Sequence, residues 1–221
     1  RSIFFCNISL RMEDARFVPI NSHTFPAALV RGNSADAQVE FALRWLETWL
    51  NFKESCDETG TVIFDIDDTL ITYQDKAKRP KRLPAASLYQ KCAGKFHRII
   101  ITARPDIDNN REDTAKMLED LDIRDWDALE MMPYKDYEMI RTNSPETMNE
   151  IIAKFKWSKR DEIAKTSQII ANVGNAWTDL VKFPLTPDLR FIWTASEQIP
   201  CVFFPPHSHD EVAVKVPMTG W

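Results

Sequence analysis

The feature that most restricts what this chain can become is the stretch from Thr61 to Leu70, where an apolar run ends in clustered acids. Val62, Ile63 and Phe64 follow one another directly, the pattern of a strand buried on both faces. Asp65, Asp67 and Asp68 come at its end. So much negative charge beside a buried strand is costly unless something positive lies next to it. A divalent cation answers that need, and carboxylates are ligands that Mg²⁺ accepts readily. In open α/β sheets, sites form beyond the carboxyl ends of the strands, where these acids fall. On the residues alone, an acidic turn after an edge strand is the competing reading.

The neighbouring segments read as the elements such a strand needs. From Ser34 to about Lys53, Val39, Leu43, Leu46 and Leu50 recur at helical spacing, with Ala42, Trp45 and Trp49 widening the face. Pro84 opens a second helix through Leu88, Tyr89 and Cys92 that stops near Gly94. Phe96 to Thr102 is a second buried strand, and Pro105 breaks it. Strand, helix and strand in that order imply a right-handed crossover and a parallel sheet. Thr72 to Leu83 reads as a polar loop carrying Lys76, Lys78, Arg79, Lys81 and Arg82. Those cations either steer phosphorylated substrates or form a solvated loop. The connection is too short for a large inserted domain, so the site should be open.

Further on, Asn110 to Leu121 is helical in pattern and Trp126 to Met132 is a third strand. Residues 134–150 read as a long loop with a helical turn. Ser158 with Asp161 has the form of a capping box, opening a helix to about Lys165. Ile169 to Val173 is a fourth strand. Short strands follow at Phe191 to Trp193 and Ile199 to Phe204, and Val212 to Trp221 is a tail packed back on the domain. Residues 1–33 read as an irregular arm. His207, His209 and Asp210 read as a solvated loop rather than a metal cluster.

With 221 residues the chain can bury a sizeable core. Its net charge of −5 argues against a general nucleic-acid binder. No apolar run approaches the length of a membrane span. Cys6, Cys56, Cys92 and Cys201 are scattered, which fits neither a zinc site nor a dense disulfide framework. The sequon Asn7-Ile-Ser9 matters only in a secretory compartment. A cytoplasmic protein is expected, with secretion as the alternative.

Asp65-x-Asp67-x-Thr69 after a hydrophobic strand resembles the first motif of the haloacid dehalogenase (HAD)-like phosphohydrolases. Ile101-Thr-Ala-Arg104 is similar to the second. Phe155, Lys156 and Arg160 match the phrase Phe-Lys-x-x-x-Arg of acid-phosphatase-like members, with Lys159 the runner-up to Lys156 as the third-motif lysine. Gly174 and Asp179 match the ends of the fourth motif, Gly-Asp-x-x-x-Asp, but Asn175 stands where the family has aspartate. Ala176-Trp-Thr-Asp-Leu180 resembles Gln-Trp-Ser-Asp-Leu of the plant acid phosphatase and vegetative storage group.

The resemblance implies a Rossmannoid three-layer α/β/α sandwich with a parallel central sheet, a minimal cap and an N-terminal helical extension. Residues 1–57 would be an arm and helix packed on a core of 58–221. It implies a phosphomonoesterase of the class B or subfamily IIIB acid phosphatase kind. Asp65 would be the nucleophile, Asp67 the general acid and base, and Thr69 a loop anchor. Thr69, Thr102, Arg104 and Lys156 would bind the substrate, Arg104 reaching the phosphate or a leaving group, and Asp65, Asp67, Asn175 and Asp179 would hold Mg²⁺. The expected substrate is a small phosphate ester. A polynucleotide end and a catalytically weak storage or binding protein are the alternatives.

Overall fold

A computed structural model of the chain describes residues 15–20, 25–30, 35–73, 79–180, 201–203 and 212–215. In order, the elements are β1 (Ala15–Ile20), β2 (Phe25–Val30), α1 (Ala35–Ser55), β3 (Thr61–Phe64), β4 (Ile71–Tyr73) and β5 (Pro80–Arg82). Then come α2 (Pro84–Lys91), β6 (His97–Asp106), α3 (Asn110–Asp120), β7 (Ala128–Pro133), α4 (Tyr134–Thr142) and α5 (Pro145–Ala164). The last are β8 (Ile169–Gly174), a 3₁₀ turn (Trp177–Asp179), β9 (Cys201–Phe203) and β10 (Val212–Lys215).

Eight strands form the main sheet in the order β1-β2-β9-β10-β8-β3-β6-β7. From β10 to β7 every neighbouring pair is parallel. The strands β1, β2, β9 and β10 pair antiparallel at the other side. β3 lies between β8 and β6, and all four of its residues are buried. Its side chains alternate between two cores, as the pleat requires. Val62 and Phe64 join Leu43, Leu46 and Leu50 of α1, residues of α2 and Leu118 of α3. Ile63 points the other way, with Ile101, Met132 and Phe155 of α5, flanked by Tyr137 and Ile140 of α4. The protein is thus an α/β fold whose parallel strands are covered by helices on both faces. Among the described residues, no helix is long and apolar enough to cross a membrane.

Several expectations give way here. The arm of residues 1–33 contains the hairpin β1–β2, which extends the sheet through β9. Residues 134–150 hold α4 and the start of α5, not a long loop. The capping residue of α5 is Ser144, whose Oγ accepts from Thr147 N–H at 3.4 Å, with Pro145 in the first turn. Ser158 lies inside that helix, and its Oγ donates to the Phe155 carbonyl at 2.8 Å. β6 runs past Pro105 to Asp106, with a register shift between Thr102 and Pro105 that lets proline stay in a strand. The basic loop after Thr72 is bounded by a two-stranded hairpin, β4–β5. The tail holds β10, which adds to β8 in parallel. The strand expected at Phe191 to Trp193 and the loop with His207 and His209 lie outside the described residues.

Candidate active site

The acidic loop is shaped by a single carbonyl. Thr69, Leu70 and Ile71 all donate their N–H groups to the Ile66 oxygen, at 3.3, 2.9 and 3.1 Å. Asp68 takes the left-handed conformation this tight turn demands, φ 54°, and its carboxylate accepts from Thr72 Oγ1 at 2.9 Å. Asp65 is still fastened to the sheet, since its N–H donates to the Val173 carbonyl at 3.0 Å. The turn therefore leaves Asp65 buried and Asp67 half-exposed at the same strand tip.

Helix α5 brings its cations to this tip from below. Lys156 and Arg160 are one helical turn apart and both are buried. The Lys156 ammonium donates to Asp65 Oδ1 at 2.6 Å and also to Asp179 Oδ1. Arg160 donates to the Thr178 carbonyl at 3.3 Å and to the Asp179 carbonyl. Asp179 Oδ2 accepts from Ala176 N–H at 2.9 Å. Gly174 makes the close approach possible: a Cβ there would lie 2.7 Å from Asp179 Cγ.

Two buried carboxylates here share one ammonium, while Arg160 is turned to the Thr178 and Asp179 carbonyls. Burial is the largest cause raising the Asp65 carboxyl, and Asp179 pushes it further; Lys156 pulls it down but not enough, leaving it at about 7. Burial works against the Lys156 ammonium, yet Asp179 and Asp65 outweigh it and raise its proton affinity. A hard divalent cation fits such a donor set. Asp65 and Asp179 offer buried carboxylates, and Asn175 offers an amide oxygen that accepts from Thr69 Oγ1 at a long 3.5 Å. The Asp67 carboxylate is turned elsewhere. Among the described residues, no group of three or more His, Cys, Asp or Glu is gathered round one point.

A second cluster adjoins the first. Arg104 forks the Asp67 carboxylate, with Nε donating to Oδ2 at 2.9 Å and Nη2 to Oδ1 at 2.7 Å. Its other amine hydrogens reach the Tyr73 hydroxyl, Thr114 and Met117. Burial works against the guanidinium charge, but Asp67 outweighs it and the proton is held more tightly than usual. Phe64 pairs with Ile100, so Asp65 and Thr102 leave β3 and β6 within a residue of the same level. Thr102 is buried, and its Oγ1 accepts the Arg104 N–H at 3.2 Å.

Asp65, Lys156 and Asp179 thus meet directly, Thr69 touches Asn175, and Asp67 and Arg104 form a pair beside Thr102. Lys159, the other candidate lysine, lies apart and pairs with Glu130 and Glu162 at 3.2 and 3.0 Å. Of the basic run, Lys76 and Lys78 lie outside the described residues, and Arg82 turns to Gln90 at 2.8 Å. Two contributors were not visible as such. Arg160 was part of a motif, and its helical spacing from Lys156 was the signal for a shared task. Tyr73 gave none, because it meets Arg104 only through the fold. No protein-family model matches this chain, and a search of curated proteins finds no match either.

Proposed function

We propose that this chain is a Mg²⁺-dependent phosphomonoesterase of the HAD-like kind, working through a phosphorylated Asp65 on a small phosphate ester. The observation that carries the reading is the buried meeting of Asp65, Lys156 and Asp179 at the carboxyl end of the central parallel strand. A buried carboxylate next to a lysine and a second acid is a costly arrangement that phosphoryl transfer can use. The small β4–β5 hairpin supports a minimal cap, and helices on both faces support the Rossmannoid sandwich.

The chemistry follows from the placements. An Asp65 carboxylate oxygen attacks phosphorus in line, and the ester P–O bond breaks on the far side. Asp67, entering this step as the carboxylic acid, gives its proton to the departing oxygen and is left as the carboxylate that Arg104 forks. Lys156 and the Thr102 hydroxyl offset charge on the phosphoryl oxygens. Water then attacks the phosphorus of the aspartyl-phosphate, Asp67 takes its proton, and Asp65 is released with inorganic phosphate. Mg²⁺, held by Asp65, Asp179, Asn175 and the Asp67 carbonyl, would supply positive charge to nucleophile and phosphate. Asn175 brings an oxygen but no charge, so weaker metal binding than with two flanking acids is expected.

Exposed Lys81 on the hairpin favours one second reading, a phosphatase of polynucleotide ends. The test is phosphate release from a panel of small esters and a 3′-phosphorylated oligonucleotide, with and without Mg²⁺. Release that needs Mg²⁺ and is lost in Asp65→Asn supports the proposal. Near-normal release by Asp65→Asn overturns the nucleophile assignment, and preference for the oligonucleotide selects the second reading. A well-folded chain that releases no phosphate from any of them is a storage or binding protein.

A further inference from the structure

The Arg104 guanidinium is saturated. An arginine has five N–H groups, and here each has a taker. Nε meets Asp67 Oδ2 at 2.9 Å. Nη2 meets Asp67 Oδ1 at 2.7 Å and the Tyr73 hydroxyl at 3.1 Å. Nη1 meets Thr114 Oγ1 and Met117 Sδ, both at 3.5 Å. A residue that grips an incoming phosphate should keep donors turned towards it, and the well-made ones here are spent on Asp67 and Tyr73. The Tyr73 hydroxyl is engaged on both sides, since it accepts from Arg104 and donates to Met117 Sδ at 3.2 Å. A continuous chain therefore runs from the acidic loop through the end of β6 to the hairpin and α3. The fork fixes the plane of a carboxylate that is otherwise half-exposed, with 47% of its side-chain surface open.

We propose that Arg104 and Tyr73 are positioning residues that hold the Asp67 carboxylate in place for proton transfer, Arg104 through its fork and Tyr73 by bracing the guanidinium. This rests on the phosphomonoesterase reading, and replaces the expectation that Arg104 binds the phosphate. Proton donation matters most when the leaving oxygen is basic, as in an alkyl phosphate, and least for p-nitrophenyl phosphate, whose leaving group departs unprotonated.

The experiment measures kcat and KM for both esters in the full chain with Mg²⁺, before and after Arg104→Met and Tyr73→Phe. For Arg104→Met, kcat on the alkyl ester should fall about 100-fold and on p-nitrophenyl phosphate less than about tenfold, with KM nearly unchanged. Tyr73→Phe removes only a hydroxyl from an exposed ring, so the fold should survive. It should show the same substrate-dependent loss, about three- to tenfold on the alkyl ester. A raised KM with kcat retained would make Arg104 a phosphate ligand and overturn the inference. So would an equal loss on both esters, or none. If the unaltered chain releases phosphate from neither ester, the underlying reading falls and the positioning role falls with it.

Discussion

Two ionic clusters share the carboxyl end of the central strands, and they are built on opposite plans. In the first, Asp65 and Asp179 share the single ammonium of Lys156, and the three side chains are 7%, 4% and 5% exposed. In the second, Asp67 and Arg104 balance one another, at 47% and 17% exposed. In the buried cluster two carboxylates share one ammonium where desolvation is most costly, and Arg160 beside them is turned to backbone carbonyls. The open cluster is neutral and leaves its guanidinium nothing to offer. The contrast matches the two proposed jobs: a cation would be taken where two carboxylates share one ammonium, and geometry would be held where charge is already matched.

The largest effect expected is on turnover. Asp65→Asn keeps the shape of the side chain but removes the proposed nucleophile, so Mg²⁺-dependent phosphate release should fall by at least about 10⁴-fold. The same change removes one of the two buried carboxylates that share Lys156, the one that burial and Asp179 disfavour, so the metal-free variant should melt above the unaltered chain at alkaline pH. Loss of stability in that melt would break the idea that burial and Asp179 disfavour this carboxylate. Lys156→Met is the converse. It leaves two buried carboxylates without their shared cation, and should cost about 3–5 kcal/mol in urea unfolding.

The pH dependence sharpens the same point. Folding raises the Asp65 carboxyl from 3.8 to about 7, chiefly through burial. A group raised in the folded state contributes its full stability below the unfolded value and loses it as pH climbs through the folded one. The stability gap between Asp65→Asn and the unaltered metal-free chain should therefore widen from about pH 4 to about pH 7 and level off above it, and Mg²⁺ should narrow it. A gap that stays flat in chemical denaturation would place the compensating charge elsewhere.

How much of this was legible varies with the range of the forces involved. The strand at Val62 to Phe64 was readable because burial on both faces leaves a continuous apolar run. Lys156, Asp179 and Asp65 could be chosen because each stands in a motif with local spacing, and the fold joins them. The helix expected from Ser158 begins instead after Ser144, since a capping-box pattern also occurs inside helices and Ser144 with Pro145 is the true start. β1, β2 and β10 were missed because an added strand is stabilised by its neighbour in the sheet more than by its own sequence. Arg104 is a similar case. A motif position says that a guanidinium is present, and only the packed structure says that Asp67 and Tyr73 have taken it.

The smallest effect tests the comparison from its quiet side. Removing the Arg104 charge while keeping an unbranched stem, as in Arg104→Met, should cost only about 1 kcal/mol of folding stability. Half of the Asp67 side chain is open to water, so solvent can replace the lost partner. Lys156→Met has little such recourse, because the two carboxylates it leaves behind are only 7% and 4% exposed. Urea unfolding of the two variants at one pH gives the ratio directly. A cost at Arg104 as large as that at Lys156 would mean that the open pair is part of the scaffold. A small cost, with catalysis lost on basic leaving groups, would mean that evolution has spent this arginine on the aim of one carboxylate.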